Sequence, residues 1–489
     1  MGQPSVDDAR RAVPPRPTLL VAGERLVAGS GGETTHHEPA TGRALPAVPL
    51  AGADEVAHAV AAARRALPMW RRIEPPARRA HLMALADALD ADAEGLALVS
   101  ALELGQPFAG QLAAVRLAAE HYRYFAGWVD KLEGRVVPAY PGPSLDYTRR
   151  EPVGVVAGIV PWNGPVVATA LKLAPALAAG NCAVIKASEV APFAALRLAE
   201  VIESVGLPTG VVTVVPGGPG AGEALVRADV DLVSFTGGVP TSRRVLAAAA
   251  VRGTPVVAEL GGKSALLAFA DADPRKVATL AVRHGIAQTS GQGCFLPTRV
   301  LVDRTRRDDV VAAITAAARA LVLGGPFDET TTMGPLVSAG ARDRVLGVIA
   351  HARAHGATLA AGGAAPTDRD GFFVEPTVFV DVDPASELAQ EEVFGPVLAI
   401  STFGDEDEAV ALANGTRYGL GAYIVTDDVT RAHRVAAAVE AGYVSINGMA
   451  FLPPAAPFGG MKDSGFGREG GAAALEAMTT TKNVYLSLR

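Results

Sequence analysis

Between residues 153 and 260 the chain repeats one pattern, and that pattern restricts its fold more than any other feature. Short, nearly continuous apolar runs alternate with helical segments: VGVVAGIV, an Ala-rich helix, CAVIKAS, the helix PFAALRLAEVIESV, VVTVV, the helix GEALVRA, LVSFTG, the helix TSRRVLAAAAV and PVVAEL. A strand that wets one face alternates apolar and polar residues, whereas a continuous apolar run is buried on both. Strands of the second kind, each followed by a helix, build a doubly wound α/β sheet that takes its ligands at the strands' carboxyl ends. Upstream, residues 52–128 read as helices (DEVAHAVAAARRAL, ARRAHLMALADALDADAEGLALV). Downstream, residues 261–460 alternate again, through VLVD, HGATLAAGG, FVEPTVFVDV, AYIVTDD and GYVSIN. Residues 129–150 read as an extended hairpin, and the tail TKNVYLSL as another strand. Both lack partners nearby in sequence; protruding strands of this kind commonly pair with another subunit, so a homo-oligomer is expected. A chain of 489 residues has the length for about three domains.

Several classes drop out early. Charged residues make up 19% and the net charge is −7 without long runs of either sign, so the basic patch of a nucleic-acid binder is absent. Two cysteines exclude a disulfide framework and make the cytoplasm the expected compartment. The opening MGQPSVDDARRAVPPRP has no apolar core of a signal peptide and reads as a frayed leader. Residues 152–171 are uncharged, but Pro152, Pro161, Asn163 and Pro165 interrupt them. They read as strand, loop and helix, with residues 161–163 on the loop, and no membrane partner is expected. Residues 465–470 match GxGxxG, yet no strand precedes them and only 19 residues follow, so a structural turn is expected. His351 and His355 lack the adjacent Glu of a zinc-protease helix, and no metal site is expected.

Cys182 falls inside a strand pattern and reads as a small buried hydrophobe. Cys294 differs: it follows the helix RKVATLAVRHGIAQ and lies among glycines that open the backbone to a substrate. A free thiol is scarcely ionised at neutral pH, so Cys294 needs companions. Glu259 ends a buried strand, where a desolvated carboxyl gains the raised pKa of a general base, unless backbone amides satisfy it. Asn163, on the loop after VGVVAGIV, supplies a neutral amide donor for an oxyanion. Lys186 and Glu392 also lie at strand ends or in loops.

Eight motifs in register carry a family resemblance: PWN (161–163), KLAPALAAGN (172–181), KASE (186–189), SFTGG (234–238), ELGGKS (259–264), GQGC (291–294), EEVFGP (391–396) and PFGGMKDSGFGRE (457–469). They run nearly end to end, and the chain resembles the hydrolytic, NAD(P)-dependent aldehyde dehydrogenase superfamily. The resemblance implies an α/β fold of three domains: a Rossmann-like cofactor domain (residues 1–128 and 149–260), an α/β catalytic domain (261–462) and a small β oligomerisation arm (129–148 and 474–489). It also implies roles. Cys294 would add to the aldehyde carbonyl, Asn163 and the Cys294 N–H would hold the oxyanion, and Glu259 would activate the water that hydrolyses the thioester. Lys186 and Glu189 would bind the adenosine ribose and Glu392, beside Phe394, the nicotinamide ribose. Trp162, Lys172, Gly237 and Gly238 would shape the cofactor cleft and its surroundings.

Two departures stand out. Gly238 and Ser242 replace a hydroxyl and a glycine usual near the pyrophosphate, and Glu259 and Cys294 stand 35 apart (294 − 259), one more than is common, as a loop insertion would allow. Glu189 places a carboxylate where a 2′-phosphate would sit, so NAD is favoured over NADP. By the same resemblance Leu117, Gly164, Ala168, Leu171, Phe295, Phe451, Leu452 and Phe458 line the substrate entrance. These residues suit a medium-sized apolar or aromatic aldehyde. No Arg stands among them to clamp a second carboxylate, Arg299 reads as structural, and no carboxylate-plus-aromatic box for a quaternary ammonium is evident. The alternatives are a semialdehyde dehydrogenase, a CoA-acylating enzyme, against which Glu259 speaks, and a non-catalytic cofactor-binding protein. The expected assembly is a homodimer or homotetramer.

Overall fold

The computed structural model describes residues 4–140 and 142–488; residues 1–3 of the expected leader, residue 141 of the expected hairpin and residue 489 of the tail lie outside the described residues. Every strand expected from the apolar runs forms, and they assemble one sheet. Its order is Gly465–Phe466, Val256–Glu259, Leu232–Thr236, Val155–Ile159, Cys182–Ser188 and Val212–Gly217. The last five run parallel. All side chains of Val155–Ile159 are buried, as a strand covered by helices on both faces requires. From that strand the chain builds outward to one side through Cys182–Ser188 and Val212–Gly217. It then crosses back to Leu232–Thr236, leaving a crevice where the order reverses.

A second sheet of seven strands is ordered Thr358–Ala361, Thr377–Val380, Val397–Phe403, Arg299–Asp303, Ala265–Ala268, Gly421–Val425 and Tyr443–Ile446. Only its first strand is antiparallel to its neighbour. A third, antiparallel sheet joins Thr479–Ser487, Ser144–Pro152 and Val136–Val137. These are a Rossmann-like sheet, a catalytic-type α/β unit and a small β arm, the three-part architecture that the motifs imply.

The structure corrects several local expectations. The leader is a helix, Val6–Ala12: Ser5 and Asp8 cap it reciprocally, and Arg10 bonds both oxygens of Glu38 at 2.7 and 2.6 Å. The long helix expected from ARRAHL onward breaks at Asp92, which leaves helical geometry between Pro75–Ala91 and Ala93–Leu104 and pairs with Arg197. The tail strand pairs with Ser144–Pro152 of its own chain over nine residues, so the two expected strands satisfy one another. The GxGxxG segment is more than a turn. Its Gly465 pairs opposite Glu259 in the first sheet, and a Cβ at Gly465 would sit 1.9 Å from the Ala258 carbonyl oxygen, so the strand approaches closely because the residue is Gly. The helix before Cys294 opens into a π-helix over Thr279–Ala287. The stretch 152–171 is strand, loop and helix, and among the described residues no helix is long and apolar enough to cross a membrane.

Candidate functional site

The crevice at the carboxyl ends of the first sheet opens into a cavity of about 810 Å³. Trp162, Asn163, Lys186, Glu189, Gly237, Gly238, Glu259, Cys294, Glu392 and Phe394 all line it, so residues up to 232 positions apart (394 − 162) meet there. Topology explains this. Residues 161–163 follow the central strand, Lys186 lies within and Glu189 just after the next, residues 237–238 follow Leu232–Thr236, and Glu259 ends its neighbour. The second unit adds Cys294, Glu392 and Phe394 from the other wall.

At the outer end Lys186 lies 3.5 Å from the Glu189 carboxylate, to which the Ser188 hydroxyl also donates at 3.3 Å. Burial pulls the Lys186 pKa down, and Glu189 opposes that shift. Helix Val239–Ala250 begins at Gly238, with its first-turn N–H groups at the cavity rim. A Cβ at Gly238 would meet only Pro240 Cδ, at 3.8 Å, so the chain is open to an incoming group. Ser242 does not face the cavity: it is buried behind it, and Thr241 lines the wall instead. A helix N-terminus for a pyrophosphate, a carboxylate for a ribose diol and the apolar wall of Val226, Val245 and Ala248 together fit a dinucleotide.

Toward the inner end Phe394 meets Trp162 edge-on at 5.6 Å, and Phe394 adopts a left-handed backbone (φ 51°). The Gly262 N–H donates to Glu392 at 3.2 Å; a Cβ at Gly261 would lie 2.3 Å from the other Glu392 oxygen. Burial raises the Glu392 carboxyl to about 7. Beside it is Lys263, which the sequence reading passed over. It is fully enclosed, its ammonium has no hydrogen-bond partner, and burial with the neighbouring Arg299 pulls it down to about 7. Arg299 itself donates to the carbonyls of Leu412 and Ala413 at 2.6 and 2.8 Å, the structural role expected of it.

Cys294 is half-buried at the inner end, and burial pushes its thiol up to about 12, with Glu392 and Glu259 adding to the shift. Asn163 spends one amide hydrogen on the Gln292 carbonyl at 2.9 Å, leaving its second free. Neither oxygen of Glu259 has a partner at full hydrogen-bond geometry, and the nearby Gly460 amide is the weakest of the influences on its pKa. Its carboxyl reaches toward Gly459, where a Cβ would lie 2.6 Å from Oε1. Its pKa is raised well above the usual range, first by burial and then by the Glu469 carboxylate, while Lys172 and Arg468 work the other way.

Lys172 and Glu469 form a buried ion pair at 2.5 Å beneath the site. Lys172 also donates to Ser234 at 3.0 Å and Thr236 at 2.8 Å, and it does not line the cavity. Glu469 was not singled out from sequence, although a carboxylate closing a Gly-rich stretch near the end of the chain was the available signal.

The residues expected at the substrate entrance lie outside this cavity. Phe295 packs against Phe458 at 5.4 Å, Phe451 at 5.8 Å and Tyr443 at 5.9 Å. Sequence reasoning found no carboxylate-plus-aromatic box, and the group seen here is of rings alone. Tyr443, 148 positions from Phe295 (443 − 295), completes a group of four rings that only the fold brings together. Leu452 packs against both large hydrophobic cores, and its carbonyl meets His121 at 3.2 Å on the helix Phe108–Ala126 that carries Leu117. Ala168 and Leu171 sit on Pro165–Ala179, and a Cβ at Gly164 would find open space. The pair His351 and His355 stack at 3.9 Å, and His351 meets Glu387 at 3.1 Å on an exposed surface.

A crevice fitted to a dinucleotide, with a thiol, an unpaired carboxyl and an amide donor at its inner end, defines a class of oxidoreductase that works through a cysteine. The profile of the aldehyde dehydrogenase family matches residues 26–484, and the chain belongs to that family. It is 40% identical over 479 residues to a betaine aldehyde dehydrogenase of Sinorhizobium fredii, covering 97% of this chain and 98% of that one. Among solved structures, the NAD+ complex of an aldehyde dehydrogenase from Bacillus cereus superposes with a TM-score of 0.94 at 38% identity, with 97% of each chain covered. PnpE from Pseudomonas sp. WBC-3 superposes at 0.93 with 40% identity, over 96% of this chain and 97% of that one.

Proposed function

We propose that the protein oxidises an aldehyde to the carboxylic acid with NAD, through a covalent thioester on Cys294. The observation that carries this reading is one continuous cavity. It has Lys186 and Glu189 at one end and Cys294, Asn163 and Glu259 at the other. In this reading residues 1–128 and 149–260 hold the cofactor and residues 261–462 present the nucleophile. NAD, when bound, supplies the hydride acceptor. Cys294 adds to the carbonyl carbon as a thiolate, and the free Asn163 hydrogen with the Cys294 N–H holds the oxygen that gains charge. Once hydride has left, the carbon is a thioester. Glu259 takes a proton from water, the water oxygen adds, and Cys294 departs as the free acid forms. An unpaired, desolvated carboxyl is a stronger base than an exposed one, which suits Glu259 to that step. Glu189 turns away a 2′-phosphate, and Glu392 takes the second ribose.

For the substrate we favour a medium-sized apolar or aromatic aldehyde, on the strength of the ring group Phe295, Phe451, Phe458 and Tyr443 and the open space at Gly164. A second reading is a quaternary ammonium aldehyde. It is supported by the names of several relatives about 40% identical, betaine aldehyde dehydrogenases, and by the affinity of aromatic faces for cations. Initial rates of NADH formation, with NAD and without CoA, decide between them over octanal, benzaldehyde, succinic semialdehyde and betaine aldehyde. A higher kcat/KM for octanal or benzaldehyde supports the first reading, and a higher value for betaine aldehyde the second. Preference for succinic semialdehyde overturns both substrate readings, and turnover only with added CoA overturns the hydrolytic mechanism.

A further inference from the structure

We propose that Gln106 is a positioning residue for the Cys294 thiol, acting through Ser290 on the left-handed turn that precedes the nucleophile. The proposal rests on the reading of Cys294 as the nucleophile. The chain enters Cys294 through an unusual backbone: after the π-helix Thr279–Ala287 come Thr289 (φ 48°), Ser290 (φ 54°) and Gly291 (φ 72°). Two consecutive non-glycine residues in the left-handed region persist only where their surroundings impose it.

Those surroundings are polar, buried and drawn from distant parts of the chain. Gln106 and Ser290 are 3% and 1% exposed. Gln106 follows Gly105, whose left-handed φ of 67° ends helix Ala93–Leu104 and lets Pro335 approach. Its amide nitrogen donates to the Ser290 hydroxyl at 3.1 Å and to the Pro335 carbonyl at 2.9 Å, which occupies both hydrogens. Ser290 passes its own hydrogen to the Gly334 carbonyl at 2.7 Å. Four backbone segments thus meet: a Cβ at Gly334 would lie 2.0 Å from the Gly105 oxygen, and one at Gly291 would lie 2.1 Å from the Gly395 oxygen. On the other side of Gly291, Gln292 accepts the Val337 N–H at 3.0 Å on its side chain and the Asn163 amide at 2.9 Å on its carbonyl. A turn released at Ser290 would therefore disturb the thiol and the amide donor together. Neither Gln106 nor Ser290 lines the cavity, so Gln106 acts on the thiol only through the turn.

The test compares Gln106→Leu, Ser290→Ala and the double variant in the full-length protein. The first readout is iodoacetamide alkylation of Cys294, followed by peptide mass spectrometry with the buried Cys182 as internal reference. This needs no aldehyde turnover. Loosening the turn should expose the thiol and ease its burial, so alkylation should quicken by about fivefold and its pH profile should move down. Catalysis should move the other way, with kcat falling by about tenfold because a small misplacement of a reacting group is costly. NAD affinity should stay within about twofold, and the double variant should match the worse single variant, since both act on one link. Unchanged alkylation in variants that still melt cooperatively overturns the proposal. Effects that multiply in the double variant, or a fall in NAD affinity and kcat alone, also overturn it. If the parent protein oxidises no aldehyde, the proposed function fails while the alkylation readout still judges the turn.

Discussion

The buried pair Lys172–Glu469 should set the proton affinity of Glu259, and its two halves should do so with opposite signs. Lys172 is fully buried, Glu469 nearly so, and they touch at 2.5 Å, so at Glu259 their charges largely cancel. Neutralising either one uncovers the other. A close unit charge in such surroundings moves a carboxyl by about 1–3 pH units, each worth about 1.4 kcal/mol. Glu469→Gln leaves the Lys172 ammonium, favours the Glu259 carboxylate and should lower its pKa by about one unit. Lys172→Met leaves the Glu469 carboxylate and should raise the Glu259 pKa. In the proposed mechanism deacylation needs ionised Glu259, so it should grow as pH rises through the Glu259 pKa. The acid limb should move down in the first variant and up in the second. The assay is stopped-flow NADH formation, reading the linear phase after the first turnover across pH. Breaking one side of a buried pair also costs about 3–5 kcal/mol, so urea midpoints must first show that both variants are folded. Limbs that move in the same direction, or a linear phase whose pH dependence does not change, would refute the electrostatic argument.

Three further outcomes are expected. Glu189→Gln should narrow the preference for NAD over NADP by about tenfold, the effect of about 1.4 kcal/mol of lost charge repulsion; kcat/KM with each cofactor measures it. Cys294 in the cofactor-free protein should alkylate about tenfold faster for each unit of pH between neutrality and 10. Its thiol is pushed up to about 12, and a plateau below pH 10 would contradict that burial. We also propose that the arm pairs with another copy of the chain, because Val136, Tyr140, Tyr485, Leu486 and Leu488 leave it apolar and exposed. Tyr485→Asp with Leu486→Asp should then reduce the mass found by light scattering to that of one 50.0 kDa chain.

Much of this was legible in the sequence because it depends on local pattern. Continuous apolar runs marked buried parallel strands, and parallel strands place their following loops on one edge, which is why Asn163, Glu189, Gly238 and Glu259 line one cavity. What escaped depends on contacts between distant segments. The capping box of Val6–Ala12 was present in the letters, but so short a helix needs tertiary contacts, here Ala9 buried in the core and Arg10 reaching Glu38. The π-turn before Cys294 has no periodicity to separate it from an α-helix, and no local rule pairs Gly465 with Glu259. Tyr443 and Glu469 look like ordinary strand and loop residues until the fold sets them against Phe295 and Lys172.

The most direct test of the central claim is to catch the covalent intermediate. With Glu259→Gln, NAD and an aldehyde that the parent protein oxidises, mixtures quenched after the first turnover and digested should carry one acyl group on the peptide containing Cys294. The same label should be absent from Cys294→Ala, which should oxidise no aldehyde. An acyl group on another residue, or NADH formation that survives Cys294→Ala, would contradict the account.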